Sequence, residues 1–259
     1  AICISLYYYQ TLAKTQKLQK EVLLQSIKAQ ESEEMKASFI KSICHEIRTP
    51  LNSINGFSEI LSNDISTPEE QEDYQAIILE NTRLLTSLLG SLVEVANLDS
   101  LTENFTLTPI EIGSYCRAEM QYLKEAEGKQ EIDYQLDLPE NDYKVYSHPQ
   151  YFSLLLRALL NNANKFTTQG FINLSCRKDN KRKMLLVSIT DTGCGIPAEK
   201  HEYVFRRFTK LDIFKQGSGL GLYLCKLIIK HMQGDIYIDE TYTKGSRFIF
   251  TLPMEETNK

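Results

Sequence analysis

From Gln10 to Lys36 the chain has no glycine or proline and is rich in Gln, Lys, Glu and Leu, which predicts one continuous helix. Its apolar residues, Leu12, Leu18, Val22, Leu23, Leu24 and Ile27, keep only an imperfect heptad, the pattern of a solvated connector or a weakly packed parallel coiled coil. The helix is expected to continue without a break to Leu61 and to end near Ser62-Asn63-Asp64. In the segment Phe39 to Phe57, at roughly 100° per residue, Ile40, Ile43, Ile47, Leu51 and Ile54 fall on one narrow face. Thr67-Pro68-Glu69-Glu70 then supplies an N-cap, a proline at the first helical position and a capping-box glutamate. The helix that starts there carries the stripe Tyr74, Ile77, Ile78, Leu85, Leu88, Leu92 and Val95. The two helices form an antiparallel hairpin, and since two helices cannot enclose a core, the hairpin is expected to dimerise into a four-helix bundle.

The pattern changes between Asn97 and Asn104, where the helical stripe stops and strand-like alternation begins at Phe105-Thr106-Leu107. Beyond it the sequence predicts a helix over 110–127, strands over 131–136 and 143–147, and a helix over 149–166. Strands over 171–177 and 184–190 follow, then helices over 199–205 and 220–232 and strands over 235–239 and 247–252. Mixed strands with helices on one side make an α/β two-layer sandwich.

Composition narrows the function classes. Of 259 residues, 42% are hydrophobic and 24% charged, ordinary for a globular chain, and a net charge of -5 without a concentrated basic stripe argues against nucleic acid as a partner. Cys3, Cys44, Cys116, Cys176, Cys194 and Cys225 form no C-x-x-C pair, which argues against a zinc site or a disulfide framework and fits a reducing compartment. The opening run Ala1-Ile2-Cys3-Ile4-Ser5-Leu6-Tyr7-Tyr8-Tyr9 is far short of the roughly 20 residues that span a bilayer. With Lys14, Lys17 and Lys20 just after it, it reads as the cytoplasmic end of a transmembrane helix, with a buried or frayed helix start as the competing reading.

The candidate chemistry starts at His45, which lies opposite the isoleucine face. Thr49 and Asn52 share its side, Glu46 follows it, and Pro50 removes the donor to the Glu46 carbonyl, so a bend is expected within a turn of the histidine. A second cluster is Asp191-Thr192-Gly193-Cys194-Gly195-Ile196-Pro197, whose glycines let the backbone turn where a ligand approaches closely. A third, Gly217-Ser218-Gly219-Leu220-Gly221-Leu222, opens a helix and exposes backbone donors suited to phosphates. It lacks the G-K-[ST] ending of a Walker loop and the β-α-β context of a dinucleotide fingerprint.

The run His45-Glu46-Ile47-Arg48-Thr49-Pro50-Leu51-Asn52 resembles the H-box of bacterial sensor histidine kinases, and with the glycine boxes the resemblance extends from about Met35 to Pro253. It implies a dimerisation and histidine phosphotransfer domain over 37–101, after a signalling helix over 10–36 and a possible membrane-helix end over 1–9. A catalytic domain of the Bergerat (GHKL) ATP-binding fold, shared with gyrase, the ninety-kilodalton heat-shock chaperone and MutL, is implied over 105–255. By the same resemblance Asp191 accepts from the adenine amino group, Gly193 and Gly195 shape the base pocket, and Ile196 is a further nucleotide-binding residue. Asn162 coordinates Mg²⁺ bridging the phosphates, and Lys165 contacts phosphate oxygens. Phe208 and Lys210 belong to a phenylalanine box (Val204 to Lys210) within a lid from Phe205 to Gly217, and Gly217, Gly219, Leu220 and Gly221 meet the phosphates. Lys244-Gly245-Ser246 resembles the third glycine box, although a hairpin turn explains it equally well.

Two residues depart from the family pattern. Ala158 stands where an asparagine is usual, one turn before Asn162, which removes a ligand on the Mg²⁺ side unless water or Asn164 replaces it. His148 stands where an aspartate often precedes the proline of that helix, a change read as structural.

The implied function is ATP-dependent autophosphorylation of His45 in a homodimer, with Glu46 orienting the imidazole, then transfer to an aspartate of a response regulator receiver domain. Glu46-x-x-Thr49 fits a phosphatase pattern in which Thr49 orients a water, with backbone capping as the simpler role for Thr49. The rival readings are a kinase-impaired phosphatase or signalling scaffold and a GHKL ATPase without phosphotransfer. The resemblance further implies an upstream sensor domain, a receiver on a separate or removed segment, and a place as the cytoplasmic portion of a bacterial inner-membrane protein.

Overall fold

The computed structural model describes residues 2–63, 67–100, 105–140, 143–211 and 219–254; within the first helix, side chains are described chiefly from residue 37 onward. The heptad leucines Leu12, Leu18 and Leu24, and Ile27, thus lie outside the described side chains, as do the opening aromatic run, Lys14 and Lys17. Two compact units divide the chain, residues 1–81 and 82–259.

Helix α1 runs from Ile2 to Ser62 and continues through Pro50, so the expected continuity from the connector into the hairpin is present. Helix α2 spans Pro68–Ser100. Its start is a full capping box: the Thr67 amide donates to Glu70 Oε2 at 2.8 Å, and the Glu70 amide donates to Thr67 Oγ1 at 3.3 Å. The Thr67 amide, and the Thr67 hydroxyl that also donates to Oε2 at 3.0 Å, hold the Glu70 carboxyl below its ordinary range. In the first unit α1 meets α2 through the rings of Phe57 and Tyr74, 5.3 Å apart.

The second unit begins within α2, whose Val95 and Leu98 join its core. Strand β1 (Thr108–Glu111) pairs antiparallel with β3 (Lys144–Ser147), and α3 (Ile112–Glu127) and β2 (Ile132–Asp137) lie between them in sequence. Then come α4 (Pro149–Phe166), β4 (Gly170–Asp179), β5 (Met184–Asp191), α5 (Gly221–His231), β6 (Ile236–Ile238) and β7 (Arg247–Pro253). The main sheet has the order β2-β4-β5-β7-β6, with only the β2–β4 pair parallel.

Period-two alternation sets the inner face of this sheet. Ile172, Leu174 and Cys176 of β4 stand beside Leu185, Val187 and Ile189 of β5 and Phe248, Phe250 and Leu252 of β7, all buried. Phe152, Leu155, Leu156 and Leu159 of α4 and Cys225 and Ile228 of α5 cover it, with Phe152 edge-on to Phe250 at 6.1 Å. Each such side chain contributes about 1.5–3 kcal/mol on burial, enough to make this two-layer sandwich a stable platform.

Three boundaries differ from the sequence expectation. The first strand covers Thr108–Glu111, because β3 is long enough to pair only those residues; Phe105 instead packs against the rings of His148, Tyr151 and His231. Helix α3 starts at Ile112 because Ile110 is held in the ladder opposite Val145. The expected helix over 199–205 is two short 3₁₀ turns, Ala198–Lys200 and Tyr203–Phe205, whose tighter winding lets Val204 and Phe205 reach the core.

Candidate functional site

On α1, His45 is exposed, as the sequence places it, while Ile43, Ile47 and Ile54 on the opposite side are half-buried. Ile40 and Leu51 on the same apolar face stay 61% and 42% exposed, so one chain alone does not cover that face. The Thr49 hydroxyl donates to the His45 carbonyl at 3.3 Å, and the Ser53 hydroxyl to the Thr49 carbonyl at 3.3 Å. Thr49 therefore ties down the turn that carries His45, and its oxygen keeps lone pairs for an acceptor role.

In the second unit the Asp191, Gly193, Gly195 and Ile196 candidates lie at and just after the end of β5. Asp191 is 3% exposed, and its Oδ1 accepts the amide of Gly193 at 2.8 Å and the amide of Ser246 at 3.1 Å. Burial pushes its carboxyl above the ordinary value, against the opposing pull of those two amides. Both of these bonds fall on Oδ1, and Oδ2 accepts none among the described residues.

The glycines around Asp191 are required by close approach. A Cβ on Gly193 would stand 2.5 Å from the Phe166 carbonyl oxygen at the end of α4, and one on Gly245 would stand 2.1 Å from the Asp191 carbonyl oxygen. The turn after β5 is thereby pressed against α4 on one side and the β6–β7 loop on the other, which brings the Asn162 and Lys165 helix beside Asp191. Thr192 fixes the third side: its Oγ1 accepts the Phe171 amide at 2.9 Å and donates to the Gln169 carbonyl at 3.1 Å. The Ile196 carbonyl is held 2.9 Å from His201 Nε2.

Asn162 is half-buried on α4, and Lys165 is exposed with its ammonium 5.1 Å from the Phe166 ring centroid. Ala158 is half-buried against the core. Asn164 does not replace the missing amide: it is 4% exposed, its Oδ1 accepts the Tyr134 hydroxyl at 2.7 Å and its Nδ2 donates to the Glu127 carbonyl at 3.0 Å. Lys129 completes that network by donating to the carbonyls of Asn164 and Thr167 at the C-terminal end of α4, where a cation is favoured. His148 caps α4 without a side-chain bond and packs on Phe105 and Tyr151, so its role is structural, as the sequence suggests.

The phenylalanine box and the last glycine run meet through their backbones. Phe208 has φ 57°, Gly219 has φ 67°, and a Cβ on Gly219 would stand 2.8 Å from the Phe208 Cα. Arg207 stacks 4.6 Å over the Tyr223 ring and donates to its hydroxyl, anchoring the box to α5. Leu220 is fully buried, and Gly221 opens α5 with no atom of the described residues within 4 Å of where a side chain would project. Lys210 is half-buried, and Gly217 lies outside the described residues.

Among the described residues no cluster of three His, Cys, Asp or Glu side chains could hold a metal on its own. The neutral amide of Asn162 fits an ion that keeps most of its waters and arrives with a nucleotide's phosphates. Sequence reasoning assigned no role to Thr192, which it quoted only within a motif, nor to Tyr134, Lys129 and Arg247, and gave Ser246 no firm role. Only the D-T-G and K-G-S motifs carried any signal for them.

Two family models match this chain. Residues 35–101 match the His Kinase A (phospho-acceptor) domain, and residues 148–256 match the histidine kinase-, DNA gyrase B- and HSP90-like ATPase family. The chain belongs to the bacterial sensor histidine kinases. It is 30% identical over 256 residues to the sensor protein EvgS of Escherichia coli K12, covering 95% of this chain and 21% of that protein. It is 33% identical over 235 residues to the sensor protein SrrB of Staphylococcus aureus NCTC 8325, covering 86% of this chain and 39% of that protein. The chain thus spans well under half the length of these relatives. Among solved structures, the histidine kinase ThkA in complex with the response regulator TrrA shares the fold, with a TM-score of 0.69 and 24% identity over 86% of this chain and 61% of that one. The nucleotide-free catalytic domain of ThkA matches with a TM-score of 0.51 and 26% identity over 57% of this chain and 95% of that one.

Proposed function

We propose that this chain uses Mg²⁺-ATP to phosphorylate its own His45 and passes the phosphoryl group to an aspartate of a separate response regulator. The observation that carries the reading is the Asp191 carboxylate, buried, with one oxygen tied by two amides, in a chain that also presents His45 to solvent within H-E-I-R-T-P. Asp191 Oδ2 accepts from the adenine amino group while Gly193, Gly195 and Ile196 line the base. The α5 amide end at Gly219, Leu220 and Gly221 receives phosphate oxygens, and Lys165 and Lys210 offset charge on the transferred group. The Asn162 amide oxygen would hold a Mg²⁺ ion arriving with the nucleotide, which would further neutralise phosphate charge.

His45 Nε2 attacks the γ-phosphorus, an N–P bond forms, and the bond to the β-phosphate oxygen breaks to release ADP. Glu46 accepts from Nδ1, which fixes the tautomer that leaves Nε2 unprotonated. A water oriented by the Thr49 oxygen gives the same helix a second activity, dephosphorylation of the regulator.

The proposed organisation is a signalling helix over 10–36, a dimerisation and phosphotransfer domain over 37–101 and a catalytic domain over 105–255. The exposed Ile40 and Leu51 support a homodimer in which a second copy covers that face. An upstream sensor and attachment to the inner membrane, with this chain on the cytoplasmic side, complete the reading. The described helix long and apolar enough by composition to cross a membrane is Pro68–Leu98, which the hairpin reading assigns to the bundle.

The test is incubation with γ-labelled ATP and Mg²⁺, scoring acid-labile, base-stable label beside His45→Gln. Label on the parent and none on the variant is expected. ATP binding without label would favour the regulator-phosphatase or scaffold reading, for which Ala158 and the sequestered Asn164 are the motivating observations.

A further inference from the structure

The β6–β7 loop places the Ser246 amide on Asp191, and one side chain ties that loop down. Arg247, the first residue of β7, stands opposite Thr190 in the sheet ladder. Its Nε donates to Thr190 Oγ1 at 3.1 Å, one residue before Asp191. Its Nη1 donates to Asp239 Oδ2 at 3.1 Å, at the other end of the loop. Its guanidinium lies 4.4 Å from the ring centroid of Tyr242, in the middle of the loop. Asp239 in turn uses Oδ1 to accept both the amide and the hydroxyl of Thr241, at 2.9 and 2.7 Å, so it shapes the turn with one oxygen and anchors Arg247 with the other.

The Arg247 and Asp239 side chains are 35% and 17% exposed, so this charge-assisted contact is largely shielded from solvent. The remaining hydrogen bonds from the loop to β5 among the described residues are those of the Asp191–Ser246 pair itself. The buried Tyr242 oxygen has no partner among the described residues, so the ring is held by stacking on Arg247 and not by its hydroxyl.

We infer that Arg247 is a positioning residue for base recognition: by bracing the β6–β7 loop it keeps the Ser246 amide on Asp191 Oδ1, and so sets the preference for adenine over guanine nucleotides. The inference rests on the nucleotide reading of the Asp191 pocket. An ionised Asp191 with Oδ1 occupied by two donors offers Oδ2 to an amino group and repels a carbonyl oxygen at the same place on a purine. Losing one amide removes part of what offsets its burial, favours the protonated carboxyl, and lets that carboxyl donate to a guanine carbonyl. Discrimination therefore falls when the loop is released, even though Arg247 touches neither base.

The test uses the full chain with Arg247→Ala and Arg247→Lys, fluorescent non-hydrolysable analogues of ATP and GTP, and amide hydrogen exchange without nucleotide. In Arg247→Ala, exchange at Ser246 should accelerate, affinity for the ATP analogue should fall by about tenfold, and the ATP:GTP affinity ratio should fall by a comparable factor. Arg247→Lys, which keeps the charge but not the planar fork, should be intermediate. In label incorporation, KM for ATP should rise by more than kcat falls. An unchanged affinity ratio in Arg247→Ala would overturn the inference, and so would equal weakening of both analogues with a lowered melting temperature, the mark of a merely structural residue. A parent that binds neither analogue would overturn the nucleotide reading itself. A parent that prefers the ATP analogue by the same factor as Arg247→Ala would overturn only the role of Arg247.

Discussion

The amide of Ser246 donates to Asp191 Oδ1 at 3.1 Å across 55 positions of chain, and the Asp191 amide returns a bond to the Ser246 carbonyl at 2.8 Å. This reciprocal pair joins the end of β5 to the start of β7 and makes a buried carboxylate tolerable where a ligand is to be read. Replacing Asp191 by Asn keeps an oxygen for the two amides and turns an NH₂ group towards the base. We expect Asp191→Asn to weaken ATP binding by at least about tenfold in a fluorescence titration, because two donors then face each other. Its melting temperature should hold or rise, since a buried charge is removed.

Restoring the absent amide should strengthen metal-dependent binding. Ala158 is half-buried one turn before Asn162, and Ala158→Asn offers a second neutral oxygen on the same helical face. The expected outcome is a severalfold lower Mg²⁺ requirement for ATP binding, read as the midpoint of a Mg²⁺ titration. An unchanged midpoint would show that this position does not face the phosphates.

The Tyr134–Asn164 contact makes the complementary prediction. Tyr134→Phe leaves a buried amide oxygen without its 2.7 Å donor and should cost about 1–3 kcal/mol in chemical denaturation. The Mg²⁺ midpoint should stay where it is, because Asn164 is committed to the α3–β2 segment and not to phosphate.

The ring of His148 carries a pH prediction. Burial lowers its pKa from 6.5, and its Nδ1 has no partner among the described residues. The folded protein therefore binds fewer protons there than the unfolded chain does. Stability is full above about pH 6.5 and declines as pH falls through that value towards the lower folded pKa. In thermal melts from pH 7 to pH 5, His148→Phe, which keeps ring packing with Phe105 and Tyr151, should lose less stability than the parent.

The hairpin and the α/β layer were legible in sequence because both are written in local patterns. The capping box at Thr67 to Glu70 is a four-residue signal, and the inward residues of β4, β5 and β7 alternate strictly. The glycine motifs were legible for the same reason, since backbone that must approach closely excludes other residues nearby in sequence. The features that stayed hidden depend on contacts between distant positions. Nothing near Asn164 announces that Tyr134, thirty residues earlier, takes its oxygen, so sequence alone leaves it open as a ligand. Likewise the 3₁₀ turns at 198–205 have helical composition, and only the need to bury Val204 and Phe205 winds them tighter.

The unbroken course of α1 has a further consequence for anyone grafting a foreign input onto this chain. A helix of 61 residues is about 90 Å of rod in which every residue added or removed turns the downstream portion by about 100° and shifts it by about 1.5 Å. A chimera joined seven residues out of frame brings His45 back to within about 20° of its original azimuth, whereas a joint two residues out points it to nearly the opposite side. The junction of a working fusion is therefore chosen by angular phase before it is chosen by length.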